Sequence, residues 1–184
     1  MSSSELEREA RSSPSFSLLN RLVRVTWRVI YLVLVRFSPI PMKKWRISIY
    51  KLFGAKVDWS ANIYPSATVW LPSNLYLGKG SSIGPNTLIY NQGEVVIGDD
   101  VIISQGVHIC ASTHDYNSAF HPLLLAPIQV EDKVWICADA FVGPGVSLSE
   151  GSVVGARAVI AKKTESWTVY AGNPAVPIKR RLRH

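Results

Sequence analysis

Three of the chain's four histidines, His108, His114 and His121, fall within fourteen residues. Imidazole gains or loses a proton nearest neutral pH, so such a cluster offers two chemistries, proton transfer and metal ligation. His114 stands in the run Thr113-His114-Asp115-Tyr116, just before a stretch that holds His121-Pro122 and Ala126-Pro127. Proline cannot donate to a ladder of backbone hydrogen bonds, so residues 115–129 are expected to leave the regular structure as an extruded loop. From the residues alone, His114 is either a general base for a weak nucleophile or a polar loop histidine, and Asp115 either orients its ring or solvates the loop. A zinc site is the further alternative, which would need nitrogen ligands converging at about 2.0–2.1 Å.

These residues interrupt a repeat. From Val130 one aliphatic residue recurs every six positions, at Ile136, Val142, Leu148, Val154 and Ile160. A helix repeats its apolar face every 3.6 residues and a strand every 2, so a period of six marks a solenoid built of short strands and turns. The aliphatic residue looks inward. The small residue after it (Cys137, Gly143, Ser149, Gly155, Ala161) is read as the corner, and Val134, Ala140, Val146, Ser152, Ala158 and Thr164 sit four further on. Upstream, Ile63 and Val69, then Leu77, Ile83 and Ile89, then Ile97, Ile103 and Ile109 carry the same pattern with two-residue slips. Three hexads make one coil of 18 residues, stacked at about 4.8 Å on the next. By this count His114 and Trp135 end their hexads and face outward, with His108 on a face adjacent to that of His114. Ala138 and Ala156 stack on one face, where small side chains leave backbone groups open to an extended ligand.

The runs Ile97-Gly98-Asp99-Asp100-Val101, Val142-Gly143-Pro144-Gly145-Val146 and Ala171-Gly172-Asn173-Pro174-Ala175 resemble signatures of the left-handed β-helix (hexapeptide-repeat) acyltransferases. The likeness covers 45–180 and is closest to the acetyltransferases of colanic-acid and other exopolysaccharide gene clusters. It implies an all-β fold, a left-handed parallel β-helix with an N-terminal helical segment and one extruded loop. The left hand comes from the resemblance alone, because the general rule favours right-handed crossovers. The implied activity is transfer of an acetyl group from acetyl-CoA to a hydroxyl of a sugar or glycan, with His114 as general base and no metal. The resemblance places Trp135 beside the pantetheine arm and the acceptor, and Lys162 and Lys179 at the nucleotide end of coenzyme A; the groove over the stacked Ala138 and Ala156 suits the thin pantetheine chain. It places Asn86 on the acceptor side, where the loop-mouth residues Asp115 and Tyr116 are also expected. It also implies a homotrimer whose sites lie between neighbouring prisms. The family's usual Thr-Lys is Ala161-Lys162 here, so one hydroxyl contact to the donor is missing. Two alternatives stand beside this reading: a non-catalytic β-helix scaffold or cap, and a carbonic-anhydrase-like zinc enzyme, since some proteins similar in fold bind zinc through three histidines.

The 184 residues fit one domain with attachments. Four segments are expected: a disordered 1–14, a helical 15–56, the β-helix 57–170 and a basic tail 171–184. The formal charge of +7 divides as +7 over 1–60, −5 over 61–160 and +5 over 161–184. An acidic solenoid lacks the basic stripe that a nucleic-acid partner requires. Lys162, Lys163, Lys179, Arg180, Arg181 and Arg183 gather at the end of the chain, where they suit phosphates or a solvated tail. Two cysteines, Cys110 and Cys137, give neither a disulfide framework nor a zinc-knuckle spacing, and no secretory signal pattern opens the chain, so a cytoplasmic setting is expected.

From Ser15 to Phe37 the pattern is helical, with Arg21, Arg24 and Arg28 on one stripe and Leu18, Leu22, Val25, Val29 and Leu32 beside it. It is too interrupted to span a bilayer. It either lies on the inner membrane surface, together with the rest of 15–53, or packs on a solenoid. After Pro39 and Pro41, a second helix from Met42 to Phe53 is expected to cap the first coil, with Trp45, Ile49 and Leu52 on one side and Arg46 among the polar remainder.

Overall fold

The computed structural model describes residues 16–182; the segment 1–14 and the last two residues of the tail, Arg183 and His184, lie outside them. Short parallel strands stack into three sheets that close a prism. The first face holds β1 (Lys56–Val57), β4 (Leu75–Leu77), β7 (Val95–Ile97), β12 (Ile128–Val130) and β15 (Ser147–Leu148). The second holds β2 (Asn62–Ile63), β5 (Ser82–Ile83), β8 (Ile102–Ile103), β13 (Trp135–Ile136) and β16 (Val153–Val154), then β18 (Thr168–Gly172) and β19 (Ala175–Arg180). The third holds β3 (Thr68–Val69), β6 (Leu88–Tyr90), β9 (His108–Cys110), β14 (Phe141–Val142) and β17 (Val159–Ile160).

The register carries the sequence pattern directly. Trp135 pairs with Val153, one plain coil of three hexads later, whereas Asn62 pairs with Ser82 and Ser82 with Ile102, each coil lengthened by the two-residue slip. Ile102 pairs with Trp135 because the excursion lies between them. The inward residues Val130, Ile136, Val142, Leu148, Val154 and Ile160 are all buried, and so are the residues four further on. Each such aliphatic side chain contributes about 1.5–3 kcal/mol by leaving water.

The corners differ from the expectation. The chain turns at the third residue after each inward aliphatic, not at the first: Gly80, Asn86, Asp100, Gly106, Lys133, Asp139, Gly145, Gly151 and Arg157 all have left-handed φ between 54° and 71°. The small residue directly after the aliphatic serves coil stacking instead. A Cβ at Gly155 would stand 3.0 Å from the Tyr170 carbonyl oxygen, and one at Gly143 3.2 Å from that of Ile160.

The helical segment closes the first coil. Helix α1 (Leu18–Ile30), capped by the Ser17 hydroxyl accepting from the Asn20 N–H at 3.2 Å, runs on into a π-helical turn, Tyr31–Val35. Its buried side is aromatic. Trp27 Nε1 donates to the Val69 carbonyl at 2.8 Å, Tyr31 Oη donates to that of Pro65 at 3.2 Å, and the Trp27 ring packs on Tyr50 and Phe53. Leu18, Leu22, Val29 and Val33 therefore point away from the solenoid and are exposed, and Val25, also exposed, edges the groove beneath the helix. Helix α2 (Lys43–Leu52) buries Arg46, Ile47, Ile49 and Tyr50, while Leu52 is 83% exposed and Trp45 44% exposed. Of the side expected of α2, Ile49 is buried but Trp45 and Leu52 are not, and Arg46, expected among the polar remainder, is inside. The Arg46 guanidinium answers the open coil end, donating at 2.7 Å to each of the carbonyls of Ile63, Pro39 and Ile40. A cation with its donors so filled is tolerated where a leucine would leave those carbonyls unpaired.

Beyond β17 the chain does not trail off as a tail. β18 and β19 form an antiparallel hairpin on the second face, and Arg181 donates to the carbonyls of Lys133 (2.9 Å) and Gly151 (3.0 Å).

Candidate active site

The excursion is a two-stranded antiparallel hairpin, β10 (Ser112–His114) against β11 (Leu123–Leu125), with His114 opposite Leu123. It leaves the ladder three residues before the expected start, and Ile128–Val130 are already back in the first face, paired with Val95–Ile97. The proline signal correctly marks the excursion. It misplaces the ends because Thr113 and His114 keep strand geometry after leaving their coil.

His114 is exposed at the last pair of the hairpin before its turn, and its Nδ1 lies 2.6 Å from the carbonyl oxygen of His121. A carbonyl only accepts, so in the neutral ring Nδ1 carries the hydrogen and Nε2 presents a lone pair. That is the tautomer a general base needs, and a backbone group fixes it. Asp115 has other work: its Oδ1 accepts from the Asn117 N–H at 2.9 Å and its own N–H donates to Pro122 at 3.0 Å, which shapes the turn. Tyr116 stands at the hairpin tip, 82% exposed.

The three histidines do not converge. His108 lies edge-on to Phe141 at 5.2 Å on the third face, its Nε2 buried without a hydrogen-bond partner, and burial holds its pKa below the usual histidine range. His121 contributes its carbonyl. Among the described residues no group of three or more His, Cys, Asp or Glu side chains could hold a metal ion.

A groove of about 410 Å³ opens in front of His114, walled by Thr113, Tyr90 and Gln92 on the solenoid side and by Arg21 and Arg24 of α1. The expected donor residues lie elsewhere on the chain. Trp135 is half-exposed on the second face, its Nε1 donating to Ser104 Oγ at 3.1 Å, and it lines a separate groove with Lys133, Trp167 and Arg181. Ala138 and Ala156 sit at successive corners, joined by the Arg157 N–H donating to the Ala138 carbonyl at 2.9 Å. Lys162 and Lys179 are exposed near the last coil, the latter on β19. Asn86 occupies a left-handed corner of the second coil and donates its N–H to Ser66 Oγ at 3.0 Å. In one chain the groove in front of His114 is thus lined by helix α1 and by none of Trp135, Ala138, Ala156, Lys162, Lys179 and Asn86.

The sequence reading missed Arg21, Arg24, Tyr90 and Gln92 as groove residues, and the His121 carbonyl as the group that orients the base. The arginine stripe was visible as a stripe, but what it faces is set by docking of the helix. A backbone carbonyl leaves no residue-type signal at all.

Comparison with known proteins gives a consistent result. No family model matches the chain. It is 35% identical over 156 residues to WcaF of Escherichia coli (strain K12), whose role as a colanic acid biosynthesis acetyltransferase is itself an inferred one; the match covers 85% of this chain and 86% of that protein. It is 28% identical over 137 residues to the galactoside O-acetyltransferase of the same organism, covering 73% and 68%. Among solved structures, a maltose O-acetyltransferase from Clostridium difficile 630 superposes with a TM-score of 0.81 at 21% identity, covering 91% and 90% of the two chains. A hexapeptide-repeat-containing acetyltransferase from Vibrio cholerae O1 biovar eltor, complexed with acetyl coenzyme A, also gives 0.81 at 22% identity over the full length of both chains.

Proposed function

This chain belongs to the left-handed β-helix (hexapeptide-repeat) acetyltransferases, and on that premise we propose that His114 is the general base of an O-acetyl transfer from acetyl-CoA to a sugar hydroxyl. The observation that carries the proposal is the 2.6 Å contact from Nδ1 to the His121 carbonyl, which leaves Nε2 unprotonated at the mouth of a groove. Nε2 takes the hydroxyl proton as the oxygen attacks the thioester carbonyl. The C–S bond then breaks, and the imidazolium returns the proton to the departing thiolate. No acyl-enzyme forms. Cys110 lies in the same groove, but its thiol is turned to the Ser112 carbonyl at 3.3 Å. The likeness to WcaF supports an acceptor in exopolysaccharide synthesis.

The site is completed by a second copy in a homotrimer. None of the residues suited to the donor (Trp135, Ala138, Ala156, Lys162 and Lys179) lines the groove in front of His114, which supports a neighbouring copy as the source of that half. The exposed ridge Leu18, Leu22, Val25, Val29 and Val33, flanked by arginines, supports a seat on the anionic inner membrane surface. No helix among the described residues is long and apolar enough to cross a membrane.

Acetyl-CoA turnover with a panel of glycan acceptors tests the base. His114→Ala is expected to lower kcat by about 10²- to 10⁴-fold with an unchanged circular dichroism spectrum, and an unchanged kcat opposes the proposal. Co-expression of His114→Ala with Trp135→Ala subunits tests the shared site: mixed trimers regain activity if neighbours complement, and stay inactive if each chain works alone.

A further inference from the structure

The groove in front of His114 does not end at Arg21 and Arg24. A second groove of about 430 Å³ shares Arg21, Arg24 and Tyr90 with it and continues along the third face beneath α1, adding Arg28, Trp70 and Leu88. The path therefore has three zones: the base at one end, cations in the middle, and an apolar bed at the other.

Among the described residues the cations are uncompensated. Arg21, Arg24 and Arg28 follow one another at spacings of three and four on one helical stripe, and none of them forms an ion pair among the described residues. No carboxylate among the described residues lines either groove. Arg24 is held in place, its guanidinium stacked 4.4 Å above the Trp70 ring and its Nε donating to Asn20 Oδ1 at 2.9 Å, which leaves its terminal N–H groups to the groove. Gathering positive side chains without acidic partners costs free energy unless an anion joins them, and guanidinium forks match phosphate oxygens in geometry as well as charge. A neutral free sugar would not need them.

Resting on the reading of His114 as the base, we propose that the acceptor is a sugar carried on a phosphate or diphosphate ester. Its hydroxyl meets His114, its phosphates lie on Arg21 and Arg24 with Arg28 beyond, and the rest of the carrier lies along Trp70 and Leu88. A nucleoside and a prenyl chain share this chemistry, and the apolar bed suits either. The donor has its own diphosphate, but the cations assigned to it, Lys162 and Lys179, belong to the last coil, and α1 covers the first.

Titration calorimetry on the full chain tests this with uridine diphosphate, geranyl diphosphate and free galactose as probes, each with and without saturating coenzyme A. At least one diphosphate is expected to bind, with coenzyme A present as well as absent, and galactose to bind at least tenfold more weakly. Arg21→Gln/Arg24→Gln should weaken that diphosphate at least tenfold and leave coenzyme A affinity unchanged. Arg21→Gln alone, at an exposed position, should weaken it several-fold, which keeps the test valid if the double variant folds poorly. His114→Ala should bind the diphosphate as wild type does, so loss of the base reading and loss of this one are separable. Whichever diphosphate binds more tightly identifies the carrier as nucleotide or lipid. Displacement by coenzyme A, no diphosphate binding, or binding indifferent to the arginine substitutions would overturn the proposal.

Discussion

The solenoid and the helical segment that caps it use apolar residues in opposite ways. Along 130–160 every residue of the six-fold period is inside, because a coil that closes on itself has only one interior. Helix α1 has two competing apolar faces, and the aromatic one is buried while the aliphatic one stays outside. Trp27 and Tyr31 win because they bring donors to the Val69 and Pro65 carbonyls, which a leucine face would leave unpaired at the open coil end. Periodicity therefore settles burial where geometry offers a single inside. It does not where a neighbour's polar groups choose the face.

The largest effect that would break this contrast comes from the cap. Trp27→Ala is expected to cost about 3–5 kcal/mol in denaturant unfolding, against about 2–5 kcal/mol for Ile136→Ala in the prism and within about 0.5 kcal/mol for Leu22→Ala. A Leu22→Ala cost as large as that of Trp27→Ala would mean that the ridge is buried in the working assembly. Next comes Arg46→Met, which removes the donors from three carbonyls and is expected to cost about 2–3 kcal/mol, with Arg46→Lys recovering part of it. Equal losses for methionine and lysine would show that packing rather than donors holds the cap.

The smallest effect sharpens the contrast inside the solenoid, at His108. Its pKa is lowered by burial, so the folded state resists a proton that the unfolded chain accepts below about pH 6.5. Stability is then lost as pH falls from the unfolded value through the lower folded one. His108→Phe removes that loss, and the drop in Tm between pH 7.5 and pH 5.5 is expected to shrink. An unchanged drop would assign the acid sensitivity to other groups.

Much of the fold was legible because each hexad states its inward residue, its register slip and its neighbour one coil on. The left-handed corners were signalled at Gly80, Gly106, Gly145, Gly151, Asn86, Asp100 and Asp139, whose types favour that conformation, but not at Lys133 and Arg157, and the small residue after each aliphatic drew the corner assignment instead. His114 was legible as a histidine beside an interruption. Its tautomer depends on the His121 carbonyl, and its groove on how α1 docks, and both are consequences of folding rather than of residue type.

The most direct test of the account is the pH dependence of kcat/KM for acetyl transfer in wild type and His114→Ala. With His114 as the base, wild type is expected to show an acid limb of unit slope, absent from the residual rate of the variant. The same limb in both proteins, at similar rates, would contradict it.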